Sequence, residues 1–288
     1  GETFTIGAPD EVRVGDMYFA RFAHVVGGAG PDAFVFDGDG EITGTLTGGG
    51  GSDTLDYSSW TSPVQVNLSE GSATAVGGGA AGAVSEVENV IAGSAGDVLT
   101  GDDGDNVLVG GAGDDEIHGL GGDDRLEGND GKDRLYGDDG DDRLLGGAGI
   151  DQFTGGAGAD TADYSRAPGA IRAMLWRELT WNDGTGSYDR LLSMENVTGS
   201  GFGDRIDGDD GPNVLIGGAG NDLIQGRGGD DEIFGGAGHD RLYGDSGNDR
   251  IWGEAGNDLV HGGMGHDELH GGEGDDELVG WYGKDVMR

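Results

Sequence analysis

Gly217-Gly218-Ala219-Gly220-Asn221-Asp222-Leu223-Ile224-Gln225 is followed, without a break, by units of the same form, among them Gly271-Gly272-Glu273-Gly274-Asp275-Asp276-Glu277-Leu278-Val279. Residues 199–288 divide into ten consecutive nine-residue units, Gly-x-x-Gly-x-Asp-x-(apolar)-x, with no insertion or deletion. Self-similarity at a short fixed period marks a repeat architecture and outranks local propensity. The sixth place holds Asp204, Asn213, Asp222, Asp231, Asp240, Asp249, Asp258, Asp267, Asp276 and Asp285. The eighth holds Ile206, Leu215, Ile224, Ile233, Leu242, Ile251, Val260, Leu269, Leu278 and Met287. Acid and core residue are locked in register.

Glycine at the first and fourth places permits positive φ, so a tight turn can direct its carbonyls inward at a cation. Three residues remain for a strand whose middle side chain faces opposite to its neighbours. So short a strand is stable only when stacked. With two nonapeptides per coil of about 18 residues, units n and n+2 overlie one another. Asp222, Asp240, Asp258 and Asp276 then share one edge, and Asp231, Asp249, Asp267 and Asp285 the other. Carboxylates stacked at roughly 4.8 Å repel unless a cation lies between them. The fold predicted is all-β: a parallel β-roll (β-helix solenoid), two nonapeptides per coil, interrupted by two irregular 35-residue segments.

The first block, residues 92–163, has eight units with sixth places Asp97, Asn106, Asp115, Asp124, Asp133, Asp142, Asp151 and Asp160. The irregular segments are 57–91 and 164–198. They open Tyr57-Ser58 and Tyr164-Ser165 and close Glu88-Asn89-Val90 and Glu195-Asn196-Val197, a constant offset of 107 residues. They read as one module used twice. A length near two coils, too short to bury a core alone, favours variant coils without calcium over inserted domains. The second copy, with Met174, Leu175, Trp176, Leu179 and Trp181, has the bulk for a short amphipathic helix or a protruding loop. Residues 27–56 carry two degenerate units, with Asp32 and Asp53 at the sixth place, around an interruption that keeps Ile42 and Leu46 as core candidates. Residues 1–26 are either an N-terminal cap or the tail of a preceding domain, with one or two strands expected over Met17–Phe22.

Composition bounds the function. The 288 residues include 67 glycines and 56 acidic against 16 basic residues, a formal charge of −40. Nucleic acid would be repelled. No apolar run is long enough to span a bilayer, and with no cysteine there is neither a disulfide nor a thiolate site. Without metal such a chain is expected to be disordered. It opens at Gly1 with no methionine and no signal peptide, and reads as a fragment or processed product.

The units resemble the repeats-in-toxin (RTX) nonapeptide, GGxGxDxUx, a calcium-binding parallel β-helix signature. Ten in unbroken register make that resemblance specific. It implies Ca2+ held by the twenty sixth-place side chains from Asp32 to Asp285, with up to about 14 ions stacked in the two blocks. Asn106 and Asn213 depart from the pattern as weaker ligands. Ala92, Ala95 and Phe202 replace glycines, which puts the first site of each block in doubt. The resemblance further implies a secreted or surface-attached bacterial protein, such as an adhesin or surface layer, exported by the type I route and folding in external calcium. An accessory module of an extracellular enzyme and a polysaccharide-binding module remain alternatives. Polysaccharide, a surface protein or self-association are the partner classes, with Phe234, Trp252, His270, Tyr243 and His261 as outward-facing aromatics. No catalytic set emerges: there is no G-x-S-x-G elbow, and His266-Asp267-Glu268-Leu269-His270 lacks the helix and glutamate position of a zinc-hydrolase motif.

Overall fold

The computed structural model describes residues 2–6, 11–14, 17–20, 24–38 and 40–288. Of the strands expected near Met17–Phe22, Met17–Ala20 is formed and pairs antiparallel with Glu11–Val14; Arg21 and Phe22 lie outside the described residues. The chain forms two compact halves, Gly1–Gly146 and Gly147–Arg288.

In the N-terminal half one parallel ladder stacks Thr3–Ile6, Ala33–Phe36, Thr54–Asp56, Asn89–Ile91, Val107–Ala112 and Arg125–Gly131. A second stacks Gln65–Asn67, Val98–Thr100, Glu116–Gly121 and Arg134–Asp139. Successive nonapeptides alternate between the ladders, so Leu99 pairs with Ile117 and Leu108 with Leu126, two units on. A small third ladder joins His24–Val26, Thr45–Thr47 and Val84–Ser85, and puts Leu46 in the core beside Ile42, both 0 % exposed.

The C-terminal half repeats the plan. Thr161–Asp163, Asn196–Thr198, Val214–Ala219, Glu232–Ala237, Arg250–Ala255, Glu268–Glu273 and Val286–Met287 form one parallel ladder. Ile171–Met174, Arg205–Asp207, Leu223–Gly228, Arg241–Ser246, Leu259–Met264 and Glu277–Tyr282 form the other. Eighth-place residues from Ile206 to Leu269 are all 0 % exposed. Each contributes about 1.5–3 kcal/mol by leaving water. The architecture is the expected all-β parallel β-roll.

Two features differ from the expectation. Most strands of the two blocks run six or seven residues rather than three, because the first three places of the following unit also stack on their equivalents: Gly218 pairs with Gly236 and Ala219 with Ala237, whereas Val98–Thr100 and Arg205–Asp207 keep three. The second module departs from simple coils. Leu179–Asp183 pairs antiparallel with both Ile171–Met174 and Asp189–Leu192, after a single 3-10 turn at Leu175–Arg177. The first module is plainer: Gln65–Asn67 pairs antiparallel with Ser72–Ala73, and Ala73 makes a further antiparallel bridge to Val76.

Candidate metal centre

Each sixth-place aspartate sits where the turn enters the strand, and its two oxygens have different surroundings. Oδ1 accepts the backbone N–H of the sixth-place residue one coil earlier. In the C-terminal half Asp222 N–H donates to Asp240 Oδ1 at 2.8 Å, Asp240 to Asp258 at 2.9 Å and Asp258 to Asp276 at 2.9 Å. On the opposite edge Asp231 donates to Asp249 at 2.9 Å, Asp249 to Asp267 at 3.0 Å and Asp267 to Asp285 at 3.2 Å. In the N-terminal half Asp97 donates to Asp115 at 2.7 Å, Asn106 to Asp124 at 2.7 Å, Asp115 to Asp133 at 2.9 Å and Asp124 to Asp142 at 2.8 Å. The two lines of carboxylates expected from the period are therefore present along the edges.

Oδ2 is the chemically telling atom. In Asp53, Asp115, Asp124, Asp222, Asp231, Asp240, Asp249, Asp258 and Asp267 it is buried with no hydrogen-bond donor. Around it lies space that a side chain at the first-place glycine would fill. A methyl group at position 235 would stand 2.6 Å from Asp240 Oδ2 and 2.8 Å from the Gly253 carbonyl oxygen. The same pair of oxygens, spare carboxylate and carbonyl of the first-place glycine in the next coil, flanks Gly217, Gly226, Gly244 and Gly253. A buried gap faced by acceptors and no donor is unfavourable when empty. It suits a hard cation with oxygen ligands. No cluster of three or more His, Asp or Glu side chains that could hold a metal occurs among the described residues. Each gap offers few carboxylates, so the other oxygens it presents are backbone carbonyls.

Burial is also what displaces the titration of these groups. Asp124, Asp222 and Asp231 are pushed up to about 7 from 3.8, chiefly by desolvation, with backbone N–H donation opposing and neighbouring carboxylates adding to the rise. Asp115, Asp240 and Asp249 are pushed up to about 6 for the same reasons.

Several sixth-place residues are not recognisable as such in the sequence. Val90 pairs with both Leu55 and Leu108, which makes Glu88 a sixth-place residue, and its Oε2 accepts Asp53 N–H at 2.7 Å. Glu195 does the same for Asp160 at 3.0 Å. Counting nine back from Asp97 and Asp204 reaches both; the missing glycines conceal the register. Asp189 stands beside Asp151 through the pairing of Leu191 with Phe153, and accepts Asp151 N–H at 2.9 Å. Val64 and Ile171 hold sixth places with no carboxylate at all, donating their N–H groups to Asp97 and Asp204 at 2.7 Å.

The fifth places form a further ladder. Asn221 Oδ1 accepts His239 N–H at 2.8 Å, His239 Nδ1 accepts Asn257 N–H at 2.8 Å, and Asn257 Oδ1 accepts Asp275 N–H at 3.0 Å. Groove volumes of about 790 and 450 Å³ in the C-terminal half are lined by the fifth and sixth places of the two edges. The outward aromatics stack on one another, Phe234 on Trp252 at 4.6 Å and Trp252 on His270 at 5.6 Å, so their faces are largely occupied.

A parallel β-roll whose edges carry oxygen-only gaps defines a cation-binding structural solenoid. The family model for the RTX calcium-binding nonapeptide repeat matches residues 45–59, overlapping stretches from 91 to 162, and overlapping stretches from 198 to 288, more than half of the chain. The chain belongs to that family. Its repeats are calcium-binding and structural rather than catalytic, and the family is generally associated with secreted and cell-surface bacterial proteins. No curated protein matches the chain. No helix among the described residues is long and apolar enough to cross a membrane.

Proposed function

We propose that this chain is the calcium-dependent structural region of a secreted or surface-attached bacterial protein, disordered where calcium is scarce and rigid once exported by the type I route. Residues 92–163 and 199–288 are its calcium-loaded blocks, and 57–91 and 164–198 its variant coils. The observation that carries the reading is the donor-free, buried Oδ2 of Asp115, Asp124, Asp222, Asp231, Asp240, Asp249, Asp258 and Asp267, with a backbone carbonyl also flanking the first-place glycine at Asp124, Asp222, Asp231, Asp240, Asp249 and Asp258. Ca2+ bound there would supply the positive charge that the protein does not, and folding would carry the binding free energy. Circular dichroism and size-exclusion chromatography during calcium titration test this. The expected result is an expanded chain in chelator that gains β signal and compacts as calcium is added. A compact β-rich chain in excess chelator overturns it.

A second reading, a polysaccharide-binding accessory module, rests on a different feature. Trp281 and Tyr282, 68 % and 70 % exposed, flank a groove of about 510 Å³ that also presents Arg227, Gln225 and Asp245. Glycan arrays probed with the calcium-loaded chain and with Trp281→Ala separate the readings. Equal absence of binding removes this one.

A further inference from the structure

The sixth-place side chains fall into two groups, and the difference lies in what meets their second polar atom. At the orphaned aspartates nothing donates to Oδ2. At the boundaries with irregular segments the chain itself supplies that donor, although Gly199 is still flanked by Asp204 Oδ2 and the Gly217 carbonyl. Asp97 Oδ1 accepts Val64 N–H at 2.7 Å, and its Oδ2 accepts Gly93 N–H at 3.1 Å. Its unit has Ala92 at the first place, so a buried methyl occupies the position that glycine leaves open elsewhere. Asp204 has more: Oδ1 takes Ile171 N–H at 2.7 Å, Oδ2 takes Ser200 N–H at 2.5 Å, and the Ser200 hydroxyl lies 2.8 and 3.0 Å from the two oxygens. Asp32 accepts Glu2 N–H at 2.7 Å and also Gly28 N–H.

The two asparagines reach the same end by another route. Asn106 Oδ1 accepts Asp102 N–H at 2.8 Å while its Nδ2 donates to the Glu88 carbonyl at 2.9 Å. Asn213 Oδ1 accepts Asp209 N–H at 2.9 Å while its Nδ2 donates to the Glu195 carbonyl at 2.8 Å. The amide brings its own donor to a backbone carbonyl of the preceding coil. Inside the second module, Asp189 Oδ2 accepts the Tyr164 hydroxyl at 3.0 Å. Three chemical devices, a second-place N–H or hydroxyl, an amide and a phenol, occupy positions where a carboxylate would otherwise need a metal.

We infer that Asp32, Asp97, Asn106, Asp189, Asp204 and Asn213 do not bind calcium. The coil at residues 92–109 and its counterpart at 199–216 are then metal-independent steps, and calcium loads only the orphaned sites. This rests on the calcium-binding reading above and subtracts sites from it. Satisfied acceptors gain little from a cation that must first displace their hydrogen bonds, whereas orphaned ones gain the whole interaction.

Counting calcium bound to the full chain by native mass spectrometry and by equilibrium dialysis with 45Ca tests the assignment. Asp204→Asn should leave the number of bound ions unchanged, Asp240→Asn should lower it by at least one, and Asn213→Asp should raise it by one. The gain in Asn213→Asp cannot arise from a variant that fails to fold. Loss of an ion in Asp204→Asn equal to that in Asp240→Asn, or no gain in Asn213→Asp, overturns the inference while leaving calcium binding intact. A parent chain that binds no calcium overturns the function itself.

Discussion

Acidification should weaken calcium binding by an amount that differs between sites. Asp222 and Asp231 are held at about 7 and Asp240 and Asp249 at about 6, against the ordinary 3.8, because burial disfavours their charge. A cation needs the carboxylate, so below these values it competes with a proton. The competition factor, one plus ten raised to the difference between pKa and pH, is close to unity near pH 8. At pH 5 it is about a hundred for the first pair and about ten for the second. In the metal-free protein these raised values mean that the folded state binds more protons than the unfolded one. The stability these groups contribute is therefore fully present below about pH 4 and lost as the pH climbs through 6 to 7. Calorimetric calcium titrations near pH 8, 6.5 and 5, each in two buffers of different protonation enthalpy and begun from a chain already compacted by partial calcium loading, so that the empty sites titrate in the folded state, read the competition. The expected result is a calcium midpoint that rises between about ten- and a hundredfold from pH 8 to pH 5, with protons released near pH 6.5. A midpoint that does not move, with heats independent of buffer, would mean that these carboxylates are already ionised before metal arrives, and the burial argument fails.

Gly235→Ala sets a methyl between Asp240 Oδ2 and the Gly253 carbonyl, and should remove at least one bound calcium in native mass spectra without changing the core. Ile251→Ala deletes a fully buried rung between Ile233 and Leu269 and should cost about 2–5 kcal/mol in denaturant titrations at saturating calcium. His239→Asn keeps an acceptor for Asn257 N–H and should be tolerated, whereas His239→Leu should lose about 0.5–1.5 kcal/mol in the same assay. Tyr164→Phe strips the hydroxyl from buried Asp189 Oδ2 and should destabilise by about 1–3 kcal/mol, read by denaturant unfolding.

The repeat region was legible because one sequence period carries two independent signals, the sixth-place acid and the eighth-place apolar residue. A chance match would rarely preserve both, and the pairing of Ile233 with Ile251 and of Asp231 N–H with Asp249 Oδ1 follows from that period. Glu88 and Glu195 were equally in register, but with Glu86 and Ser193 in place of glycine at the fourth place the motif disappears to the eye. Both residues nonetheless keep the positive φ of that turn, 55° and 50°. The fifth-place ladder was concealed differently. Asn221, His239 and Asn257 share a side-chain acceptor rather than one residue type, so no single letter marks the period. The antiparallel insertion of Leu179–Asp183 was beyond reach, because a length of 35 residues suits two coils or one coil with a hairpin, and only tertiary pairing distinguishes them.

The distribution of insertions along the chain has a physical logic once the two groups of carboxylates are separated. An orphaned aspartate ties three things together: its Oδ1 holds the preceding coil, its Oδ2 faces a gap, and the carbonyl across that gap belongs to the coil that follows. Adding or removing one residue between such coils would turn the carboxylate out of the edge and the core residue out of the stack together, since strand side chains alternate. The ten units from residue 199 to 288 accordingly carry no insertion or deletion. A carboxylate closed by its own turn imposes no such condition. The longer excursions adjoin such positions: the interruption after Asp32, the module before Asp97, and the module before Asp204, whose hairpin is itself tied down by Tyr164 on Asp189. On the proposed calcium reading, strict periodicity is expected where a cation draws oxygens from successive coils, and irregular sequence where hydrogen bonds within the chain take the cation's place, with orphaned Asp53, set between two irregular stretches, as the exception.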